Sequence, residues 1–208
     1  MSDTPTIPRL FDQTAQRRYR DRAAAGFGGF DFLKREAALR IADRLELMRR
    51  DFPLCLDFGC HDGTLTREIR ATDKVGTVIQ ADPAAGFAAH AADCGPAVVT
   101  EYDRLPFAAA SFDAVFSCLT LHWVDDLPGV MAQMRRMLKP DGLCLVNLLG
   151  GATLTELRAA LLEAEQELSG GAGPRTVLAR RGRRAGSLPP ARRELPLRTP
   201  ARGSARTR

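Results

Sequence analysis

Leu54-Cys55-Leu56-Asp57-Phe58-Gly59-Cys60-His61-Asp62-Gly63 is the stretch on which the reading of this chain turns. Leu54 to Phe58 is a short apolar run with a single acid, as a buried strand requires, and it stops at a bend carrying two glycines. The periodicity after Gly63 predicts a helix from about Thr64 to Ala71. Strand, tight glycine turn and helix in that order mark the opening unit of a parallel α/β sheet.

Working outward, Leu33, Ala37, Ile41, Leu45 and Met48 recur every three or four positions, which predicts one amphipathic helix from Phe32 to Arg50, closed by Pro53. Downstream, Val75 to Ala81, Ala97 to Thr100, Phe112 to Cys118 and Leu143 to Leu149 read as four more strands. Helices are predicted over 84–93, from Leu127 to Leu138 and from Thr155 to Leu168. Lys139-Pro140-Asp141-Gly142 reads as the stop of the second of these. The continuous apolar character of Leu143 to Leu149 predicts a strand covered on both faces. Strand alternating with helix predicts a doubly wound, Rossmann-like parallel sheet whose ligand sits beyond the carboxyl ends of the strands.

At 208 residues and 45% apolar composition the chain has material for one good core. No run approaches the roughly 18 apolar residues of a membrane span. Asp3, Asp12 and Asp21 in the first thirty residues argue against a secretory leader, so a cytoplasmic setting is expected. Five scattered cysteines read as buried apolar residues in a reducing compartment, and three histidines without a Cys-x-x-Cys argue against a metal site. The net charge of +5 is unevenly placed: residues 175 to 208 hold eleven arginines against one acid, leaving 19 basic and 24 acidic residues before them. Nucleic-acid binding is therefore not expected of the body, only non-specific polyanion contact by the tail. The Arg/Pro-rich tail is read as disordered, and two origins stay open for it: a basic arm, or a shifted reading frame appended to a truncated domain.

The glycine bend is not a dinucleotide fingerprint, because His61 and Thr64 stand where the second and third glycines of G-x-G-x-x-G belong. Two acids frame it instead, Asp57 before the turn and Asp82 after the second strand. An acid in the first place suits the amino group of a zwitterion, and one in the second suits both hydroxyls of a ribose. The competing reading is that both are ordinary turn or cap residues.

Leu56 to Gly63, Glu101-Tyr102-Asp103-Arg104-Leu105-Pro106-Phe107, Ser111-Phe112-Asp113-Ala114-Val115 and Leu138-Lys139-Pro140-Asp141-Gly142 together resemble the class I S-adenosylmethionine-dependent methyltransferases of the type 11 group. Phe11-Asp12, Arg17-Arg18, Leu121-His122-Trp123 and Glu156-Leu157-Arg158 through Gly170-Gly171 are similar to the branch holding the biotin-synthesis malonyl-carrier-protein methyltransferase and the mitochondrial complex I assembly factor. The similarity covers about residues 9 to 175. It implies a helical lid over residues 1–50, an S-adenosylmethionine-binding domain over 51–174 and a departure from the family in 175–208, where further strands would be missing. It also implies cofactor contacts from Asp57, Gly59, Cys60, His61, Gly63, Asp82, Glu101, Tyr102 and Ser117. His61 departs from the glycine usual in the family, which implies a reshaped pocket or a lowered cofactor affinity.

Methyl transfer needs near-attack geometry before it needs any acid or base. His122 is the one histidine placed to deprotonate an acceptor, against the plainer reading of a wall residue beside Trp123. Arg17, Arg18, Arg20 and Arg22 read either as a solvated helix face or as a site for an acidic carrier protein. The acceptor class stays open: small molecule, carrier-linked acid or protein side chain. The resemblance also admits a cofactor-binding assembly factor that hydroxylates arginine, or an inactive truncated homologue.

Overall fold

A computed structural model describes residues 9–150 and 153–170. Helices α1 (Gln13–Ala24) and α2 (Phe32–Glu46) precede β1 (Phe52–Phe58), α3 (Thr64–Arg70), β2 (Val75–Asp82), α4 (Ala85–Ala91), β3 (Ala97–Val99), β4 (Phe112–Cys118), α5 (Leu127–Met137), β5 (Leu138–Asn147) and α6 (Thr155–Ser169). All four strand pairings are parallel. The order is β3-β2-β1-β4-β5, so the chain reverses its direction of travel between β1 and β4. That reversal opens a crevice at the carboxyl ends of those two strands.

Alternation along the strands builds two cores. Cys55, Ala114, Phe116 and Cys118 face Ala37, Ala38, Ile41 and Leu45 of α2 and Leu65 and Ile69 of α3. Leu56, Phe58 and Val115 face the opposite way, onto Val130, Met134 and Met137 of α5. Period two places Asp57 on the α2/α3 side with Cys55. A third, small cluster of Ala24, Ala84 and Phe87, with Phe27 against it, fastens α1 to α4.

Three features differ from the sequence reading. Helix α2 ends four residues early, at Glu46, and Leu33 is exposed while Lys34 is buried in its place. As the sequence reading also has it, no helix joins β3 to β4 among the described residues. Residues 100–111 are instead tethered by Gln133, which donates to the Asp103 carbonyl at 2.8 Å and accepts from the Leu105 amide at 3.0 Å. Strand β5 starts at Leu138, so Lys139-Pro140-Asp141-Gly142 is an irregularity within it, with Asp141 at φ 62°. Finally, β5 is half-buried and pairs only with β4 among the described residues, so its apolar run does not reflect cover on both faces. The tail over 175–208 lies outside the described residues.

Candidate functional site

The bend after β1 needs its glycines for two separate reasons. Gly59 sits at φ 73°, and a Cβ there would lie 2.2 Å from the Thr120 side chain. Gly63 sits at φ 81°, where a Cβ would meet Gln80 Oε1 at 2.8 Å. His61 is also left-handed, at φ 54°, a conformation strained for any residue with a side chain. Its ring is gripped on both sides, 5.5 Å from Phe27 and 5.0 Å from Phe87.

Asp57 is completely buried. Its Oδ2 accepts from Thr66 Oγ1 at 3.0 Å, whereas its Oδ1 has no hydrogen-bond partner. Burial pushes the carboxyl up to about 6, partly offset by the charge of Lys34 and the Thr66 hydroxyl. An unpaired buried oxygen of this kind costs about 1–3 kcal/mol. Asp57 is therefore not serving as a turn cap.

Lys34, which the sequence reading passed over, brings its ammonium from α2 to the same bend. It donates to the carbonyls of Gly59 at 3.0 Å and Cys118 at 2.9 Å, joining the ends of β1 and β4, and stands 2.9 Å from His61 Nδ1. The opposite ring nitrogen, Nε2, is 2.9 Å from Arg20 Nη1. A neutral ring can accept from only one of these cations. Nε2 accepting from Arg20 leaves Nδ1–H to donate to Gly59 O at 3.0 Å, which assigns the tautomer. Burial and then the charges of Lys34 and Arg20 hold His61 well below the usual imidazole range, so the ring is neutral.

Asp82 is fully buried and already engaged. Arg20 Nη2 lies 2.6 Å from its Oδ2, which also accepts the His61 amide at 3.0 Å, while Oδ1 accepts the Ala84 amide at 2.9 Å. An arginine from α1 thus shares the acid expected to meet the ribose hydroxyls. Arg20 is likewise not on a solvated face, unlike exposed Arg17, Arg18 and Arg22.

The remaining expected residues divide. Tyr102 is buried against Phe58 at 5.8 Å with its hydroxyl unpartnered, and burial raises its phenol so that it stays a donor. Glu101 turns away to Arg17, 3.9 Å distant, on the rim of a polar cleft of about 430 Å³. The Cys60 thiol points into the interior and contacts the His61 carbonyl at 3.5 Å. Ser117 Oγ donates to the Phe58 carbonyl at 2.9 Å, a stitch between β4 and β1. At the α3 N-terminus, Asp62 accepts the Thr64 amide at 3.2 Å. His122 packs against Trp123 at 5.4 Å.

Beside the bend, under α1, lies a second cleft of about 520 Å³ walled by Phe11, Gln16, Tyr19, Arg20, His61 and Trp123. Gln16 Nε2 and Arg20 Nε are buried without partners here. Helix α1 is held over it at both ends. Asp125 accepts the Leu10 and Phe11 amides and, through Oδ2, Gln13 Nε2, while Asp21 accepts the Gly86 amide.

Against this geometry, residues 56–146 match the family described as "Methyltransferase domain". The chain is 39% identical over 178 residues to the mitochondrial arginine-hydroxylase NDUFAF5 of Mus musculus, covering 83% of this chain and 52% of that protein. It is 36% identical over 163 residues to the malonyl-[acyl-carrier protein] O-methyltransferase of Methylovorus sp. (strain MP688), covering 73% and 55%. It thus spans about half the length of the curated relatives it matches. A solved phosphoethanolamine N-methyltransferase 2 of Haemonchus contortus superposes with a TM-score of 0.56 at 21% identity, over 64% of this chain and 35% of that one, a likeness of fold alone.

Proposed function

Residues 56–146 form a domain of the methyltransferase family, and on that premise we propose that the chain binds S-adenosylmethionine and transfers its methyl group to an acceptor. The observation that carries this reading is the pair of opposite charges buried at the glycine bend: the half-paired Asp57 carboxylate and the Lys34 ammonium. A ligand ending in an amino acid supplies the complement to both. Asp57 Oδ1 takes its ammonium and Lys34 faces its carboxylate. Asp82 serves the ribose, and Tyr102 borders the base with its spare hydroxyl. When bound, the cofactor supplies an electrophilic methyl on a sulfonium.

The chain's own contribution is placement and exclusion of water. Trp123 and Phe11, with ring centroids 5.5 Å apart, and Tyr19 form an apolar wall beside the bend. His122, next to that wall, is our candidate to hold an acceptor proton. Among acceptor classes the charge of this cleft favours a carboxyl or other oxygen-bearing group. Arg20 lines it as a cation and Gln16 offers an unused N–H. A guanidinium acceptor, as the name of the mitochondrial relatives suggests for them, would meet like charge there. The exposed Arg17, Arg18 and Arg22 of α1 suit an acidic carrier protein delivering such an acceptor. We also propose residues 1–50 as the lid and a reducing, cytoplasmic setting, supported by thiols packed as core atoms. Among the described residues no helix is long and apolar enough to cross a membrane.

Calorimetry with S-adenosylhomocysteine tests the cofactor, with D57A and K34A each expected to weaken binding at least tenfold, the loss of one charge-assisted contact. Unchanged affinity in both variants would remove the reading. Transfer of a labelled methyl to a carboxylated carrier protein, and not to an arginine peptide, tests the acceptor class.

A further inference from the structure

Asp82 has too few open positions for the task the fold gives it. A carboxylate offers about four lone-pair sites. Three are filled, by Arg20 Nη2, the His61 amide and the Ala84 amide. A ribose presents two hydroxyls, so a two-point grip requires one partner to leave. The two amides belong to the turns after β1 and β2 and are fixed by the chain path. Arg20 is a long side chain reaching in from α1, with its guanidinium over the Phe87 ring at 5.0 Å, and it alone can withdraw.

We propose that Arg20 sets the affinity of the cofactor site by competing internally with the ribose hydroxyls for Asp82, so that cofactor entry displaces Arg20 and loosens α1. The inference rests on the S-adenosylmethionine reading above. The contact is not incidental to α1. The same guanidinium donates to His61 Nε2, and four residues away Ala24 packs with Ala84 and Phe87. Breaking the Arg20–Asp82 pair therefore removes one of the ties that hold α1 over the crevice, while Asp125 keeps its other end. A site open in only a fraction of molecules binds correspondingly more weakly, and removing the competitor restores the difference.

The test is calorimetry of S-adenosylhomocysteine against the full chain and Arg20→Met, which keeps an apolar stem against Phe87. R20M is expected to bind roughly tenfold tighter while its ligand-free form melts at a lower temperature, opposite signs that a merely structural arginine would not give. Equal or weaker binding by R20M, with the parent chain binding normally, overturns this proposal and leaves the cofactor reading intact. Binding by neither protein overturns both. Hydrogen exchange of the unmodified chain gives a reading independent of any variant. Faster exchange across residues 13–24 on adding S-adenosylhomocysteine supports displacement, and slower exchange there overturns it.

Discussion

At the scale of single residues, Asp57 makes opposing demands on pH. Its carboxyl is pushed up to about 6 in the fold, from an ordinary 3.8, because burial outweighs the help of Lys34 and Thr66. Between those values the folded chain holds a proton that the unfolded chain has lost. Stability from this group therefore falls as pH rises from about 4 to about 6, by about 3 kcal/mol in all, and stays flat above. Ligand binding runs the other way, since an ammonium needs the ionised form. The difference in unfolding free energy between the parent and D57N is expected to change across that window. S-adenosylhomocysteine affinity should weaken below pH 6 in the parent only. A parent and D57N with parallel pH profiles would contradict both. His61 offers a second residue-scale prediction. At φ 54° a Cβ costs roughly 1–2 kcal/mol, so H61G should unfold at higher denaturant than H61A although it removes more atoms. The sequence made Asp57 and His61 legible because they flank glycines. It hid Lys34, since a lysine in a helix normally faces water and only the tertiary fold shows carbonyls of two strands awaiting it.

At the scale of elements, the β1–α3 bend and the α1 lid respond differently to damage. Thr120 is fully buried and its hydroxyl donates to the Gly59 carbonyl at 3.0 Å, so it cannot retreat from a new methyl group. Gly59→Ala is expected to cost about 2–5 kcal/mol, the left-handed strain plus overpacking, read by chemical denaturation. A loss under about 1 kcal/mol would show that the bend can relax. Helix α1 is held by polar contacts more than by core. D125A frees the Leu10 and Phe11 amides and leaves Gln13 held by Asp103 alone, and should speed hydrogen exchange over residues 9–24 while leaving β1 and β4 protected. Elements built on strong apolar periods, β4 and α5 above all, matched their sequence boundaries within a residue. The link between β3 and β4 and the start of β5 were not legible. Both depend on long-range partners, Gln133 for the first, and for the second the pairing of Phe112 with Leu138 across a register shift.

For the molecule as a whole, the sheet places its chemistry and its weakness at opposite positions. The central strands β1 and β4 carry the site and are buried on both faces, whereas β5 is half-buried at one margin. Beyond it, α6 shows Leu157, Leu161 and Leu162 each 39–49% exposed. The sequence made this helix legible, but a helical pattern does not state whether its apolar residues find cover. An exposed leucine contributes little to folding, because replacement leaves no cavity, while a fully buried one is worth about 2–5 kcal/mol on truncation to alanine. Leu157→Gln with Leu161→Gln is therefore expected to leave the melting temperature nearly unchanged and to reduce aggregation on concentration, since a contiguous apolar surface drives association. Leu45→Ala, at a residue with no exposed surface, provides the contrasting loss of stability. If the α6 double variant instead melts as early as Leu45→Ala, those leucines are packed in solution, and the free energy of the fold extends past the sheet margin into α6.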